Sequence, residues 1–345
     1  MEAIKKLKLS PIITLAALVI ITAGMIAAKS IFISILLSVF ISVILAKPVV
    51  WLSRKKIPDT VAIIIVLIGL LLIILGFGGI VGRTVKKFSE DAPMYEDKLN
   101  ELLSGTISWL NNWGFSVSTD QISSFVDPGK VLGFTTSAIG EFGGVLANSF
   151  EVFIIVIFIL LELQAFSNKA KYINKTHDVP LSKLLEVGYS IRNYLWIKTL
   201  TSLLTGVLIY VWLLIIGVEY ALLWGLLAFL LNYIPNIGSI IAAVPTMLLA
   251  LIISGPTALL LTLVGYFAVN MIVGNIVEPK IMGKGLGLST LVVFLSLITW
   301  GFIFGTVGMF LSVPLTMTIK IMLEENPNTR WIAVMLGTGK EIKEG

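Results

Sequence analysis

Apolar residues run along this chain in blocks long enough to cross a lipid bilayer, and a few polar and helix-breaking residues interrupt them. A helix needs about 20 apolar residues to cross the hydrocarbon core. Blocks of that kind lie at roughly 11–28, 31–46, 60–82, 143–166, 195–217, 221–253, 257–277 and 288–320. The blocks at 221–253 and 288–320 are too long for single straight spans, and each contains a break. In LLAFLLNYIPNIGSIIAAVPTMLLALII, residues 226–253, the interruptions are Asn232, Pro235, Asn236, Gly238 and Pro245. Proline lacks the backbone donor and its ring crowds the carbonyl four residues back, so the helix ladder is expected to open near Pro235. Opened backbone at membrane depth is tolerated only where protein or a water-lined cavity satisfies it, and broken helices recur at transporter substrate sites.

In the second long block the breaks fall at Gly301, Gly305 and Gly308, with Pro314 following. The two blocks are alike locally. Gly238-Ser-Ile-Ile-Ala-Ala-Val-Pro245-Thr246 reads like Gly308-Met-Phe-Leu-Ser-Val-Pro314-Leu-Thr316, one residue out of register. An internal repeat and coincidence in an apolar alphabet explain this equally well. The expected fold is all-α: a polytopic membrane helix bundle with broken or re-entrant helix hairpins and a small extracytoplasmic helical insertion.

Lysine and arginine near span ends set the orientation. Lys5, Lys6 and Lys8 place the N-terminus in the cytoplasm, and Lys47, Arg54, Lys55 and Lys56 do the same for the loop after the second block. Lys169, Lys171, Lys175 and Lys183, then Lys280 and Lys284, and finally Lys320, Arg330, Lys340 and Lys343 also belong inside. These assignments agree if both long blocks are hairpins that return to the side they entered. Four regions follow: N-terminal transmembrane helices over 1–82, an amphipathic extracytoplasmic insertion over 83–142, a transmembrane core over 143–323, and a cytoplasmic tail over 324–345. Leu99, Leu102, Leu103, Leu110 and Trp113 give the insertion its amphipathic spacing, and Asp127-Pro128 is a good helix start. Residues 5–28 superficially imitate a signal peptide, but Lys29 and another apolar stretch follow at once, which favours an uncleaved first span.

Composition narrows the function classes. With 57% apolar and 13% charged residues and a mean hydropathy of +0.99, the chain lies outside the soluble globular class. The net charge of +5 sits at span ends rather than in a stripe, so nucleic acid is not an expected partner. No cysteine is present, which excludes disulfides, thiol nucleophiles and iron–sulfur ligation. The lone histidine, His177, is read as a solvated residue, and no metal or cofactor is expected. Gly283, Lys284, Gly285 and Gly287 fail the GxGxxG pattern, and Gly337-Thr-Gly339-Lys340 is followed by Glu, so an ATP-driven pump is disfavoured. No nucleophile–base pair suggests an enzyme.

The remaining candidates are polar residues inside apolar blocks, which are functional candidates by default. Asn232 and Asn236 flank Pro235; their amides can satisfy loosened backbone or serve a neutral, hydroxyl-rich ligand. Helical spacing places Asn270, Gly274 and Glu278 on one face, with Asn275 beside it and Lys280 as a nearby counter-charge. That face either binds a polar solute or simply supports the broken helix opposite. Glu162 lies near the end of its span, as an interfacial carboxylate or as a proton or cation site, and Glu278 is the second candidate for such coupling.

Three segments, LNYIPNIGSIIAAVP (231–245), GNIVEPKIMGKGLGLSTLVVFLSL (274–297) and GTVGMFLSVPLT (305–316), resemble the autoinducer-2 exporter family, also called the PerM-like permeases. Together with the layout of the N-terminal spans, the resemblance covers nearly the whole chain. It implies a homo-oligomer in the bacterial cytoplasmic membrane that exports a small polar signal molecule derived from dihydroxypentanedione. Autoinducer-2 is uncharged and rich in hydroxyl and carbonyl groups, and the four asparagines could supply its directional partners. Other members of this broad family are linked to sodium/proton antiport, which needs a titrating carboxylate. A structural or regulatory envelope protein is the reading from another class, and the broken helices count against it.

Overall fold

A computed structural model describes residues 11–114, 150–162, 181–235, 237–282, 287–325 and 327–338. Residues 1–10 with Lys5, Lys6 and Lys8, Asn236, the insertion beyond 114, the segment holding His177, the loop residues 283–286 and the end of the tail lie outside them. Every element among the described residues is helical. In chain order they are α1 (Pro11–Ala27), α2 (Lys29–Arg54), α3 (Asp59–Asn112), α4 (150–162), α5 (Leu181–Ile215), α6 (Ala221–Leu231), α7 (Gly238–Ser254) and α8 (Pro256–Ile272). A π-helical turn (Val273–Val277), α9 (Glu278–Met282), α10 (Thr290–Phe304), α11 (Thr306–Glu325) and α12 (Arg330–Leu336) follow. Among the described residues five helical stretches are long and apolar enough to cross a membrane: Lys29–Arg54, Asp59–Asp91, Ile191–Ile215, Pro256–Met282 and Thr306–Glu324. The protein is an all-α, multi-pass membrane bundle.

One layer is built from α2, α3 and α4. Val49, Ala62, Ile63, Val66 and Leu67 bury against Val152, Val156 and Leu160. Ser34, Ser38 and Ser42 recur every four residues on α2 and are all buried. Their small side chains let α4 come close, with Ser34 Oγ donating to Glu151 Oε2 at 3.1 Å and Ser38 Oγ to the Val152 carbonyl at 3.2 Å. Helix α3 has 54 residues, about 80 Å at the usual rise. It runs unbroken across the change from apolar to polar sequence at 82/83, so no helix end marks that boundary. Beyond the apolar part, Phe88, Tyr95 and Leu99 pack on Val218, Ala221 and Trp224 around the start of α6.

Both long apolar blocks are helical hairpins. In the first, α6 ends at Leu231, the chain turns through 232–237, and α7 returns from Gly238. The turn is tight: the Ile234 N–H donates to the Leu231 carbonyl at 2.8 Å and the Ile237 N–H to the Pro235 carbonyl at 2.7 Å. A Cβ on Gly238 would collide with the Leu231 carbonyl and stand 3.2 Å from Ile234 Cβ, so only glycine admits this return. In the second hairpin α10 ends at Gly305, whose φ of +66° suits glycine. A Cβ on Gly308 would collide with the Trp300 carbonyl and stand 2.9 Å from Phe304 Cβ. Gly238 and Gly308 thus do the same job in the two hairpins. Pro245 and Pro314 lie inside continuous helices, α7 and α11; the interruptions are at 232–237 and Gly305.

The hairpins enter from opposite ends of the bundle. Along α5, Tyr194 and Leu195 pack with Leu288, Val313 and Met317 at the open end of the second hairpin. Thr199 and Ser202 bond the tip of the first hairpin, and Leu213 and Val218 pack at its base. Helix α2 reads the same order from its other end, with Phe32 against Phe304 beside Gly305 and Phe40 against Tyr233. Helices α5 and α6 cross at Gly206 and Gly225, where a Cβ on Gly206 would stand 2.7 Å from both the Gly225 carbonyl oxygen and Phe229 Cβ. Gly265 makes room for the Trp212 ring, whose Nε1 donates to the Leu261 carbonyl at 2.9 Å.

Candidate functional site

The first hairpin tip delivers Asn232 and Tyr233 against α5. That helix carries a buried polar stripe, Lys198, Thr201, Ser202 and Thr205, inside an otherwise apolar span. Asn232 Nδ2 donates to Ser202 Oγ at 3.0 Å, and Tyr233 Oη donates to Thr199 Oγ1 at 2.8 Å. The Tyr233 ring is enclosed by Phe40, Phe229 and Phe310, with centroids 5.6, 5.8 and 6.2 Å away. Phe310 belongs to the second hairpin, so both hairpins, α2 and α5 meet at this point.

One helical turn along α5, the Lys198 ammonium donates to both oxygens of Glu278, at 2.9 and 3.0 Å. The Lys198 side chain is 6% exposed and that of Glu278 17%. Two charges withdrawn from water this far are maintained only by each other and by added hydrogen bonds. The local backbone sets the geometry. Pro279 has no N–H to continue the α-helical ladder, and the preceding turn widens to π, with the Glu278 N–H donating to the Val273 carbonyl. The extra residue turns everything beyond it by about 100° around the axis. Glu278 is thereby directed toward α5.

The sequence-derived candidates are only partly brought together. Asn232 and Glu278 both reach the α5 stripe. Pro235 and Gly238 shape the tip, and Asn236 lies outside the described residues. Asn270 is half-buried on α8 and Asn275 is exposed in the π turn; neither bonds the cluster. The expected counter-charge also changes: Lys280 is exposed, and Glu278 pairs with Lys198. Glu162 is exposed at the last described position of α4, in the layer with α2 and α3 and away from the hairpin tip. Lys198, Thr199, Ser202 and Tyr233 are the residues that sequence reasoning missed. The signal was present as a lysine in an apolar span, followed by hydroxyls at helical spacing.

A second polar constellation lies at the base of the first hairpin. A cleft of about 560 Å³ is lined by Arg83, Thr84, Lys87, Tyr210, Glu219 and Tyr220, among others, and by none of the predicted site residues. Beside it the Tyr95 hydroxyl lies 3.2 Å from Glu219 Oε2 and from the Tyr220 hydroxyl, and Tyr220 donates to Asp91 Oδ2. Burial, reinforced by the Glu219 and Asp91 charges, pushes the Tyr95 hydroxyl up to about 12. Burial and the bond to Asp91 raise Tyr220 as well. These bonds tie the polar extension of α3 to the turn between α5 and α6. Among the described residues no group of His, Asp and Glu is arranged to hold a metal ion.

Residues 15–328 match the model of the AI-2E family transporters. The chain belongs to the AI-2E transporter family. It is 41% identical over 335 residues to a Haemophilus influenzae protein described as a transport protein, covering 95% of this chain and 96% of that one. It is 37% identical over 325 residues to the AI-2 transport protein TqsA of Escherichia coli, covering 94% of each. The Escherichia coli protein YhhT is 36% identical over 329 residues, 95% of this chain and 94% of that one. The protein is therefore a membrane transport protein, and its relatives' names point to transport rather than catalysis.

Proposed function

We propose that this AI-2E family member is a carrier that exports autoinducer-2, or a closely similar small polyhydroxylated carbonyl compound, across the bacterial cytoplasmic membrane. The observation that carries the reading is the buried polar cluster where the first hairpin tip meets α5. There Asn232, Ser202, Thr199, Tyr233, Lys198 and Glu278 satisfy one another. A solute with several hydroxyl and carbonyl groups can exchange with the neutral bonds Asn232–Ser202 and Tyr233–Thr199 at little net cost, since each is worth about 1 kcal/mol. A fixed net charge is not required, because Lys198 and Glu278 neutralise one another. TqsA, named for AI-2 transport, is among the similar proteins, which supports the substrate class.

In this reading the turn 232–237 is the moving part and Gly305 the corresponding bend in the second hairpin. Hairpins that enter from opposite ends give each side of the membrane one element able to open. Pro235, Gly238, Gly301 and Gly308 limit how the arms re-pack, while Pro245 and Pro314 leave flexible points inside the return helices. Asn270 and Asn275 would approach the solute only in another state. Net transport requires the two states to bind the solute differently. In this reading both termini face the cytoplasm and the carrier works as a homo-oligomer.

The buried Lys198–Glu278 pair also favours a second reading, cation/proton antiport, with Glu278 as the coupling carboxylate. Glu162, exposed and remote from the cluster, is the weaker coupling candidate. Proteoliposomes containing the purified chain separate the two. Saturable flux of labelled autoinducer-2 supports the exporter, and a pH-sensitive dye read in parallel reports whether protons move with it. Sodium-dependent proton flux without signal flux removes the exporter reading and leaves the antiporter.

A further inference from the structure

Helices α2 and α5 each carry basic and aromatic residues at one end of their apolar spans, and the two sets face each other. Lys47 Nζ lies over the Trp196 ring, 4.5 Å from its centroid, and Arg192 on α5 is the charged neighbour of Lys47. Arg192 in turn lies 5.4 Å from the Tyr189 centroid, and Lys55 Nζ is 3.8 Å from that of Trp51. Among the described residues no acid pairs with these charges. Helix α2 contains no Asp or Glu, α5 has none from Gly188 to Ile215, and the ion pairs of the described residues lie elsewhere. Two cations brought together without a carboxylate repel one another, so the arrangement lacks a negative charge.

We propose that Lys47 and Arg192 together hold the phosphate of an anionic phospholipid headgroup where α2 and α5 meet. The position favours a lipid over a soluble anion. Both helices are long and apolar enough to span the membrane, and the pair sits near the ends of those runs. Exposed Trp51 and Tyr189 occupy the level where amphipathic rings gather in a bilayer. Toward the membrane centre, exposed Leu200 and Leu203 offer an apolar surface to the acyl chains. A guanidinium presents paired donors to phosphate oxygens while an ammonium acts as a point charge. Basic pockets between membrane helices bind acidic headgroups in this way. The site is separate from the Lys198–Glu278 cluster and does not rest on the transport reading.

The test titrates phosphatidylglycerol and phosphatidylcholine into the detergent-solubilised full chain and follows the thermal unfolding midpoint. Saturable stabilisation by phosphatidylglycerol alone is expected. The K47Q/R192Q variant should need about thirtyfold more of it, from two lost headgroup contacts, whereas K47R/R192K should behave as the wild type. Equal effects of the two lipids, or an unchanged titration of K47Q/R192Q, would overturn the proposal. Inorganic phosphate reproducing the full shift would overturn the lipid as source. If K47Q/R192Q does not fold, native mass spectrometry of the delipidated wild type decides: selective retention of phosphatidylglycerol supports the site, and equal retention of both lipids refutes it.

Discussion

Replacing Lys198 by methionine tests the ion pair on which the site is organised. The substitution keeps most of the side-chain volume but leaves the Glu278 carboxylate, 17% exposed, without the donor that meets both of its oxygens at 2.9 and 3.0 Å. Breaking a buried pair from one side costs about 3–5 kcal/mol. Residual water access at Glu278 puts the expected loss at the low end, about 3 kcal/mol. Glu278→Leu leaves the Lys198 ammonium, 6% exposed, without its carboxylate and should cost about 3–5 kcal/mol. The double variant K198M/E278L removes both charges and should return to within about 1 kcal/mol of the wild type. Equilibrium unfolding in mixed micelles measures all four corners of the cycle. The account requires a coupling of at least about 2 kcal/mol. Single effects that add within about 0.5 kcal/mol would show that the two groups do not depend on one another, and the geometric argument would fail.

Three further outcomes follow from other contacts. G238A and G308A should each lower stability by about 1–3 kcal/mol through overpacking of the hairpin turn, read as a drop in thermal midpoint; an unchanged midpoint would contradict the close return of the arms. N232A should cost about 1–2 kcal/mol by leaving Ser202 to a lost buried bond, and should reduce signal flux more than it reduces membrane insertion; full flux in a normally inserted variant would remove Asn232 from the path. Tyr95, raised from about 10 in the unfolded chain to about 12 in the fold, stabilises the protein below pH about 10 and loses that contribution as pH rises through about 12. The wild-type minus Y95F tyrosinate titration should therefore show a component near 12, and a component at the ordinary value would contradict the buried Tyr95–Glu219–Tyr220 arrangement.

Much of this architecture was legible because the physics acting on it is local. Pro235 and the glycines around Gly305 announce breaks wherever they stand in an apolar run, and both breaks fall within those segments. Lys198 was harder to place, since a basic residue near a span end ordinarily reads as a topological marker. Its burial depends on which helix comes to face it. The π turn before Glu278 shows the same limit. Asn270, Gly274 and Glu278 share a face only in an uninterrupted α-helix, and the widened turn before Pro279 redirects Glu278 to α5 while Asn275 stays exposed. The continuity of α3 beyond residue 82 was hidden by the change in polarity there, because helix formation persists while burial does not.

Side-dependent labelling of a single introduced cysteine tests the central claim most directly, and the absence of native cysteine makes it practicable. Ser202→Cys places a thiol beside Asn232 in the buried cluster. In proteoliposomes active for autoinducer-2 flux, the account predicts slow reaction with a membrane-impermeant thiol reagent, reachable from either side as the protein cycles and suppressed by saturating autoinducer-2. A thiol that remains inert from both sides during active flux, or that reacts at a rate autoinducer-2 does not alter, would place the transport path elsewhere.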